Sequence, residues 1–156
     1  MSKSFRCVID TNIAIKQFIQ DALTPKVNRL FDHLNDSAAD FFVPDLFYIE
    51  SANVLCKYVR AKLYTAEQVQ SDLHDLAALR LTVTPTQSLM ANATQIALDH
   101  SITAYDGCYV ALAEQVNAPL LTLDERLHNA LKTSQFDVRL FTDYEVPIVY
   151  PKADGI

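Results

Sequence analysis

Glycine is nearly absent from this chain of 156 residues, which contains only Gly107 and Gly155. Loops that cradle phosphate groups need several glycines at fixed spacing, so neither the GxxxxGKS/T pattern nor the GxGxxG pattern can occur. No apolar run approaches the roughly 20 residues of a membrane-spanning helix. The amino terminus also lacks the apolar stretch of a signal peptide. We therefore expect a cytoplasmic protein that has no nucleotide cofactor and no membrane partner.

Cysteine and histidine show no metal-binding or disulfide pattern. Cys7, Cys56 and Cys108 are odd in number, lie in apolar segments and form no CxxC pair. We expect them to be reduced packing residues. No HExxH motif occurs, and the histidines stand in unrelated polar contexts. The histidines, which we expect at the surface, are His33, His74, His100 and His128.

Basic residues are fewer than acidic ones, 13 against 19, for a net charge of -6. This balance argues against a protein that holds nucleic acid by bulk electrostatics, although a local basic rim remains compatible with it. Most of the basic side chains that could flank a groove are better explained as solvated helix faces. The candidates for such a rim are Lys16, Lys57, Arg60, Lys62 and Arg126.

Short apolar stretches of strand type alternate with longer segments of helical periodicity. The pattern predicts strands at 5–9 and 41–43 and in LTVT and APLLTL, with short candidates in DVRLF and VPIVY. It predicts helices at 12–20 and 25–35 and in the longer segments that follow, one of which opens with a capping box at Thr65 and Gln68. Residues 1–156 are therefore expected to form a single α/β domain, a three-layer sandwich with a mostly parallel central sheet and helices on both faces.

Four acidic residues stand where a ligand site of such a sheet would need them. Asp10 follows the strand RCVI and Asp124 follows LLTL, and ligands bind outside the carboxyl ends of parallel strands. Glu50 lies inside LFYIESANVL, and Asp106 precedes an almost wholly apolar helix. Each aspartate, taken alone, is better explained as a helix cap. Glu50 lies mid-helix among apolar neighbours, so it either reaches solvent or pairs with Lys57 or Arg60.

Together the four acids favour a bound cation. Clustered carboxylates without a basic partner repel one another, and a divalent ion relieves that repulsion. Ligands that are all oxygen select hard cations such as Mg²⁺ or Mn²⁺ rather than zinc. These are the components of metal-assisted phosphodiester hydrolysis.

Four segments in order, VIDTNI, PDLFYIESANVL, AYDGCYVALAEQ and LLTLDERL, resemble the PIN-domain ribonucleases, in particular the VapC-type toxins of bacterial toxin–antitoxin pairs. The resemblance covers nearly the whole chain. It implies an endoribonuclease that depends on Mg²⁺ or Mn²⁺ and leaves a 5′-phosphate and a 3′-hydroxyl. It also implies an RNA substrate, a cognate antitoxin as partner and a homodimer.

The resemblance assigns roles to individual residues. The four acids that would hold the metal and carry catalysis are Asp10, Glu50, Asp106 and Asp124, with Glu50 ligating or orienting the attacking water. Asn12 and Thr122 fall where the family keeps small polar residues that steady the ligands. Arg126, two residues beyond Asp124, is the candidate RNA contact. Gly107 replaces a frequent alanine, a change that we expect to be harmless.

Three alternatives remain open. A phosphoryl-transfer enzyme with Asp10 as nucleophile would, as in haloacid-dehalogenase-like enzymes, carry a second aspartate two residues later, where this chain has Asn12. A catalytically silent RNA- or protein-binding module on the same fold would be expected to have lost some of the acids, and all four are present. A PIN-domain nuclease that processes RNA without being a toxin also fits the motifs.

Overall fold

A computed structural model describes residues 4–149, in which five strands form one sheet. The strands are β1 (Arg6–Ile9), β2 (Asp40–Pro44), β3 (Thr82–Thr84), β4 (Leu120–Thr122) and β5 (Val138–Leu140). Their order is β3-β2-β1-β4-β5, and every neighbouring pair is parallel. The predicted parallel sheet is confirmed. Strands β2 and β3 lie on one side of β1, and β4 and β5 lie on the other, so the direction in which strands are added reverses between β1 and β4. In parallel sheets of this kind, the crevice for a ligand lies at the carboxyl ends of the two strands where the order reverses.

The helices of the described part of the chain alternate with the strands. They are α1 (Thr11–Ala14), α2 (Thr24–Asp32), α3 (Leu46–Arg60), α4 (Ala66–Ala78), α5 (Thr86–His100), α6 (Ala104–Val116) and α7 (Glu125–Leu131). Short 3-10 turns at Ile15–Gln17 and His33–Asn35 continue α1 and α2. The predicted capping box of α4 is present, because Gln68 N donates to Thr65 Oγ1 (3.1 Å) and Thr65 N donates to Gln68 Oε1 (2.9 Å).

Burial along the strands shows that both faces of the sheet are covered. Cys7, Val8 and Ile9 are consecutive, point alternately to opposite faces, and are all fully buried. A strand that is buried on both sides belongs to a sheet with helices on both faces, so the predicted three-layer α/β fold is confirmed. Helix α6 packs on β1, β2 and β4, and α5 packs on α6.

Gly107 lies at a close contact between α6 and α5. A Cβ atom at this position would stand 2.3 Å from the carbonyl oxygen of Ala93 in α5. Only a residue without a side chain fits there, so the glycine belongs to the packing of this pair of helices.

Several local predictions were wrong. The helix predicted at 12–20 ends early, because the Thr24 hydroxyl donates to the Lys16 carbonyl (2.8 Å) and the chain turns there. Residues 146–149 of VPIVY form no strand, and Tyr150 lies outside the described residues. Cys56 is exposed because it falls on the outer face of α3.

His33 was expected at the surface, but it is buried. Its ring packs against Phe5 with the centroids 4.6 Å apart, and its Nε2 donates to the Pro147 carbonyl (2.7 Å). The segment that ends in Pro147 covers the ring, which the local sequence around His33 does not indicate. No helix within residues 4–149 is both long enough and apolar enough to cross a membrane.

Candidate metal centre

Asp10 stands at the N-cap position of α1, yet its side chain caps nothing. The first turn of the helix is closed by the main-chain carbonyl of Asp10, which accepts from Ile13 N (3.1 Å). The carboxylate is only 7% exposed and accepts a hydrogen bond from Thr122 Oγ1 at 2.7 Å. The capping alternative is therefore wrong for Asp10, whose side chain faces the end of β4.

A hydrogen-bonded network joins the ends of β1 and β4 around Thr122. Its hydroxyl donates to Asp10 and accepts from Asn12 Nδ2 (3.3 Å) and from Asp124 N (3.0 Å). Asn12 Oδ1 in turn accepts from Leu123 N (3.1 Å). The single proton and both lone pairs of the Thr122 hydroxyl are thus engaged, so the network sets the direction in which Asp10 points.

Asp106 and Asp124 reach the same region from the starts of two helices. Asp124 is the N-cap of α7, and its Oδ1 accepts from Leu127 N (3.1 Å), which leaves the other oxygen for a ligand. Asp106 lies in the first turn of α6, whose cap is Thr103, the acceptor from Asp106 N (3.1 Å). The capping alternative therefore holds for Asp124 and is wrong for the side chain of Asp106.

Glu50 projects from the middle of α3 and bonds to neither of the basic residues considered from the sequence. The hydroxyl of Tyr109 donates to its Oε1 at 2.8 Å. The same hydroxyl lies 2.8 Å from Thr11 Oγ1. Tyr109 was not singled out from the sequence. Its one signal is the three-residue spacing from Asp106, which places both on one face of α6.

The four acids line one open cleft of about 560 Å³. The residues that line it are Asp10, Thr11, Asn12, Ile15, Lys16, Glu50, Asn53, Val54, Lys57, Asp106, Leu123 and Asp124. Of the basic candidates, Lys16 and Lys57 line the cleft. Arg60, Lys62 and Arg126 are exposed and do not line it, so an RNA contact by Arg126 stays a prediction.

Burial and mutual repulsion raise the pKa values of three of these carboxyl groups. Burial, and then the charges of Asp106 and Glu50, raise the pKa of Asp10 to about 7 against the opposing hydrogen bond from Thr122. Burial also raises the pKa of Glu50 and of Asp106, and the charge of Asp124 adds to the effect on Asp106. The charge of one acid raises the pKa of a neighbouring one in each case, so the acids form one electrostatic unit.

No basic side chain among the described residues forms an ion pair with any of the four acids, although Lys16 and Lys57 line the same cleft. The ion pairs within residues 4–149 are Lys16 with Asp21 and Arg139 with Asp137, and neither includes one of the four acids. Carboxylate oxygens that are partly buried, repel one another and have no ion-pair partner are the donor set that a hard divalent cation fits.

The acids are spread along the cleft rather than gathered at one point. Among the described residues, no three side chains of His, Cys, Asp or Glu converge closely enough to enclose a metal ion. Mg²⁺ keeps several waters and commonly takes only one or two carboxylates from a protein, so a spread set remains compatible with it.

Comparison with known proteins agrees with the fold and the motifs. The family model for the PIN domain matches residues 7–132. Ribonuclease VapC3 of Pyrobaculum aerophilum is 29% identical over 124 residues, which are 78% of this chain and 92% of that protein.

Two solved structures share the fold. A toxin–antitoxin complex from Klebsiella pneumoniae matches with a TM-score of 0.61 and 16% identity, over 90% of this chain and 99% of that one. Mycobacterium tuberculosis VapC20, described as a toxin that cleaves the sarcin-ricin loop, matches with a TM-score of 0.57 and 14% identity, over 80% of this chain and 95% of that one.

Proposed function

This chain belongs to the PIN-domain family, and from that premise we propose that it is a divalent-metal-dependent endoribonuclease acting at the four-acid cleft. The observation that carries the proposal is the meeting of Asp10, Glu50, Asp106 and Asp124 in one cleft from four separate elements, without a basic partner. The likeness to Ribonuclease VapC3 over most of both chains supports RNA as the substrate.

The four acids would hold Mg²⁺ or Mn²⁺, and Asp10 is the most buried of them. A divalent ion supplies Lewis-acid chemistry for phosphodiester hydrolysis, because it acidifies water and offsets the negative charge that develops on the phosphate.

The protein's own contribution is orientation and charge. Thr122 and Asn12 hold the Asp10 carboxylate in one direction, so little reorganisation is needed when a ligand binds. Lys16 and Lys57 lie along the cleft beside the acids, where their charges would attract backbone phosphates that flank the cleaved bond. Arg126, on the exposed face of α7, would contact RNA beyond the cleft.

The toxin role rests on the relatives. The matches include a ribonuclease of the VapC type and the toxin–antitoxin structures. We propose that this chain is likewise the toxin of such a pair, that a cognate antitoxin covers the cleft, and that the enzyme is a homodimer.

The nuclease proposal is tested with purified protein and a set of tRNA and rRNA substrates, in Mg²⁺ or Mn²⁺ and then in excess chelator. We expect cleavage that requires the metal and that Asp10→Asn abolishes without loss of folding. Asp75→Asn is the matched control, because Asp75 is exposed on α4 away from the cleft. Cleavage that survives both the chelator and Asp10→Asn would refute the mechanism.

The toxin role is tested separately by induced expression in cells. We expect growth arrest, and rescue when a small DNA-binding protein encoded beside this gene is expressed as well. Asp10→Asn should be harmless in the same cells. Normal growth with the active enzyme alone would favour an RNA-processing nuclease that is not a toxin.

A further inference from the structure

One buried hydroxyl joins three elements beneath the cleft. Tyr109 on α6 is 1% exposed, and its hydroxyl lies 2.8 Å from Glu50 Oε1 on α3 and 2.8 Å from Thr11 Oγ1 on α1. Thr11 is itself 5% exposed. This chain of side chains therefore lies in the protein interior and ends at an acid that lines the cleft.

The direction of the protons along this chain follows from its chemistry. An ionised carboxylate only accepts hydrogen bonds, so the single proton of the Tyr109 hydroxyl is donated to Glu50. The Thr11 hydroxyl must then donate to the oxygen of Tyr109. Each hydroxyl thus has one defined role, and the order is Thr11 to Tyr109 to Glu50.

Glu50 needs such a partner more than Asp10 or Asp124 does. Its side chain has several rotatable bonds, and ordering a glutamate costs about 1.5–2 kcal/mol of rotamer entropy. Asp10 is ordered by Thr122 and Asp124 by its helix cap. Among the bonds of the described residues, the one from Tyr109 is what fixes the Glu50 carboxylate.

We propose that Tyr109 is a positioning residue: its hydroxyl, oriented by Thr11, holds one oxygen of Glu50 and leaves the other available to a divalent ion. This inference rests on the proposed function, because it assumes that the cleft binds a metal. A partner that orients a metal ligand typically affects metal affinity by about 10- to 100-fold.

The test measures Mn²⁺ affinity directly, by titration calorimetry or by the spin resonance signal of free Mn²⁺, with no substrate present. We expect Tyr109→Phe to lower the affinity by about 10-fold or more while the protein stays folded. Tyr64→Phe is the matched control, because Tyr64 also donates to a carboxylate, that of Asp72, away from the cleft. It should bind Mn²⁺ as the wild type does.

Three further variants separate positioning from a general packing defect. Thr11→Val should lower the affinity by less than Tyr109→Phe, whereas Thr11→Ser, which keeps the hydroxyl, should restore it. In a Glu50→Gln background, Tyr109→Phe should cause no additional loss, because the ligand that it positions is already removed. With RNA, Tyr109→Phe should lower kcat and leave KM close to the wild-type value.

The outcomes distinguish this inference from the proposed function. If the wild type binds no Mn²⁺, the metal-dependent mechanism fails and the inference fails with it. If the wild type binds Mn²⁺ and Tyr109→Phe binds equally well, Tyr109 is structural only and the proposed function stands. If Tyr109→Phe does not fold, Thr11→Val decides the matter, and wild-type affinity in that variant overturns the inference.

Discussion

The two ends of the sheet carry cavities of opposite character. At the carboxyl ends of β1 and β4 lies the four-acid cleft, of about 560 Å³. At the amino ends lies a larger groove, of about 1200 Å³, whose walls include Arg6, Asp137 and Arg139. If size decided function, the groove at the amino ends would be the site.

The charges of the two cavities lead to the opposite conclusion. In the groove at the amino ends, Arg139 binds Asp137 through two bonds of 2.9 Å, and Arg6 lies over the Phe42 ring at 5.1 Å. In the four-acid cleft, the acids outnumber the two lining lysines, repel one another and form no ion pair among the described residues. An excess of repelling acids, which the fold tolerates at a free-energy cost, supports the proposal that the four-acid cleft is the functional site.

Removing one acid from each end of the sheet tests the functional difference between the two cavities most directly. Asp106→Asn should lower RNA cleavage by at least about 10²-fold, because loss of a metal ligand should cost more than the 10- to 100-fold typical of an outer partner. Asp137→Asn at the amino ends should leave cleavage unchanged. The rates are measured at saturating metal, with circular dichroism to verify folding. Equal losses in the two variants would remove the functional distinction between the ends.

The position of the Asp106 carboxylate should also depend on the helix packing beneath it. Gly107→Ala places a Cβ 2.3 Å from a backbone oxygen of α5, so the helices must separate. We expect a destabilisation of about 1–3 kcal/mol from overpacking, reduced by the gain in helix propensity of about 1 kcal/mol. Chemical denaturation measures it, and Gly107→Ser should be worse. An alanine variant that is more stable than the wild type would contradict the observed close packing.

The stability of the metal-free protein should depend on pH through Asp10. The folded pKa of Asp10, about 7, lies above its ordinary value of 3.8, so between these values the folded state binds more protons than the unfolded state. The stability that protonated Asp10 contributes is complete below about pH 4 and is lost as the pH rises through about 7. The slope is at most about 1.4 kcal/mol per pH unit.

Denaturation in chelator across pH 4–8 measures this slope. The difference between the wild type and Asp10→Asn isolates the contribution of Asp10, and the variant should become the more stable of the two as the pH rises. A wild type whose stability relative to Asp10→Asn does not change with pH would show that the carboxylate is ionised without penalty in the folded protein.

The sheet and the meeting of the acids could be predicted because both follow from local signals. Short apolar runs that end in Asp10 and Asp124 indicate parallel strands, and the carboxyl ends of parallel strands share one edge. Whether Asp10 caps a helix or faces a ligand could not be decided locally. That depends on Thr122, which is 112 positions away in the sequence.

The predictions that failed depend on contacts between distant segments. His33 is buried by a segment that ends at Pro147, and the helix after Asp10 is cut short by the Thr24 side chain. Tyr109 resembles an ordinary core residue of an apolar helix until its hydroxyl is seen between Thr11 and Glu50. Helical spacing indicates which face a residue occupies, but it does not identify the partner on the neighbouring element.

The smallest effect is expected from the ion pair at the amino ends. Arg139 and Asp137 are each about half exposed, with side-chain exposures of 50% and 52%, so water screens their attraction. Arg139→Gln should therefore change the free energy of unfolding by about 0.2–1 kcal/mol and leave RNA cleavage and Mn²⁺ affinity unchanged. Denaturation at low and high salt measures the effect, which should shrink as the salt concentration rises. A loss of cleavage in this variant would mean that the groove at the amino ends takes part in substrate binding, and charge compensation would then no longer distinguish the two ends of the sheet.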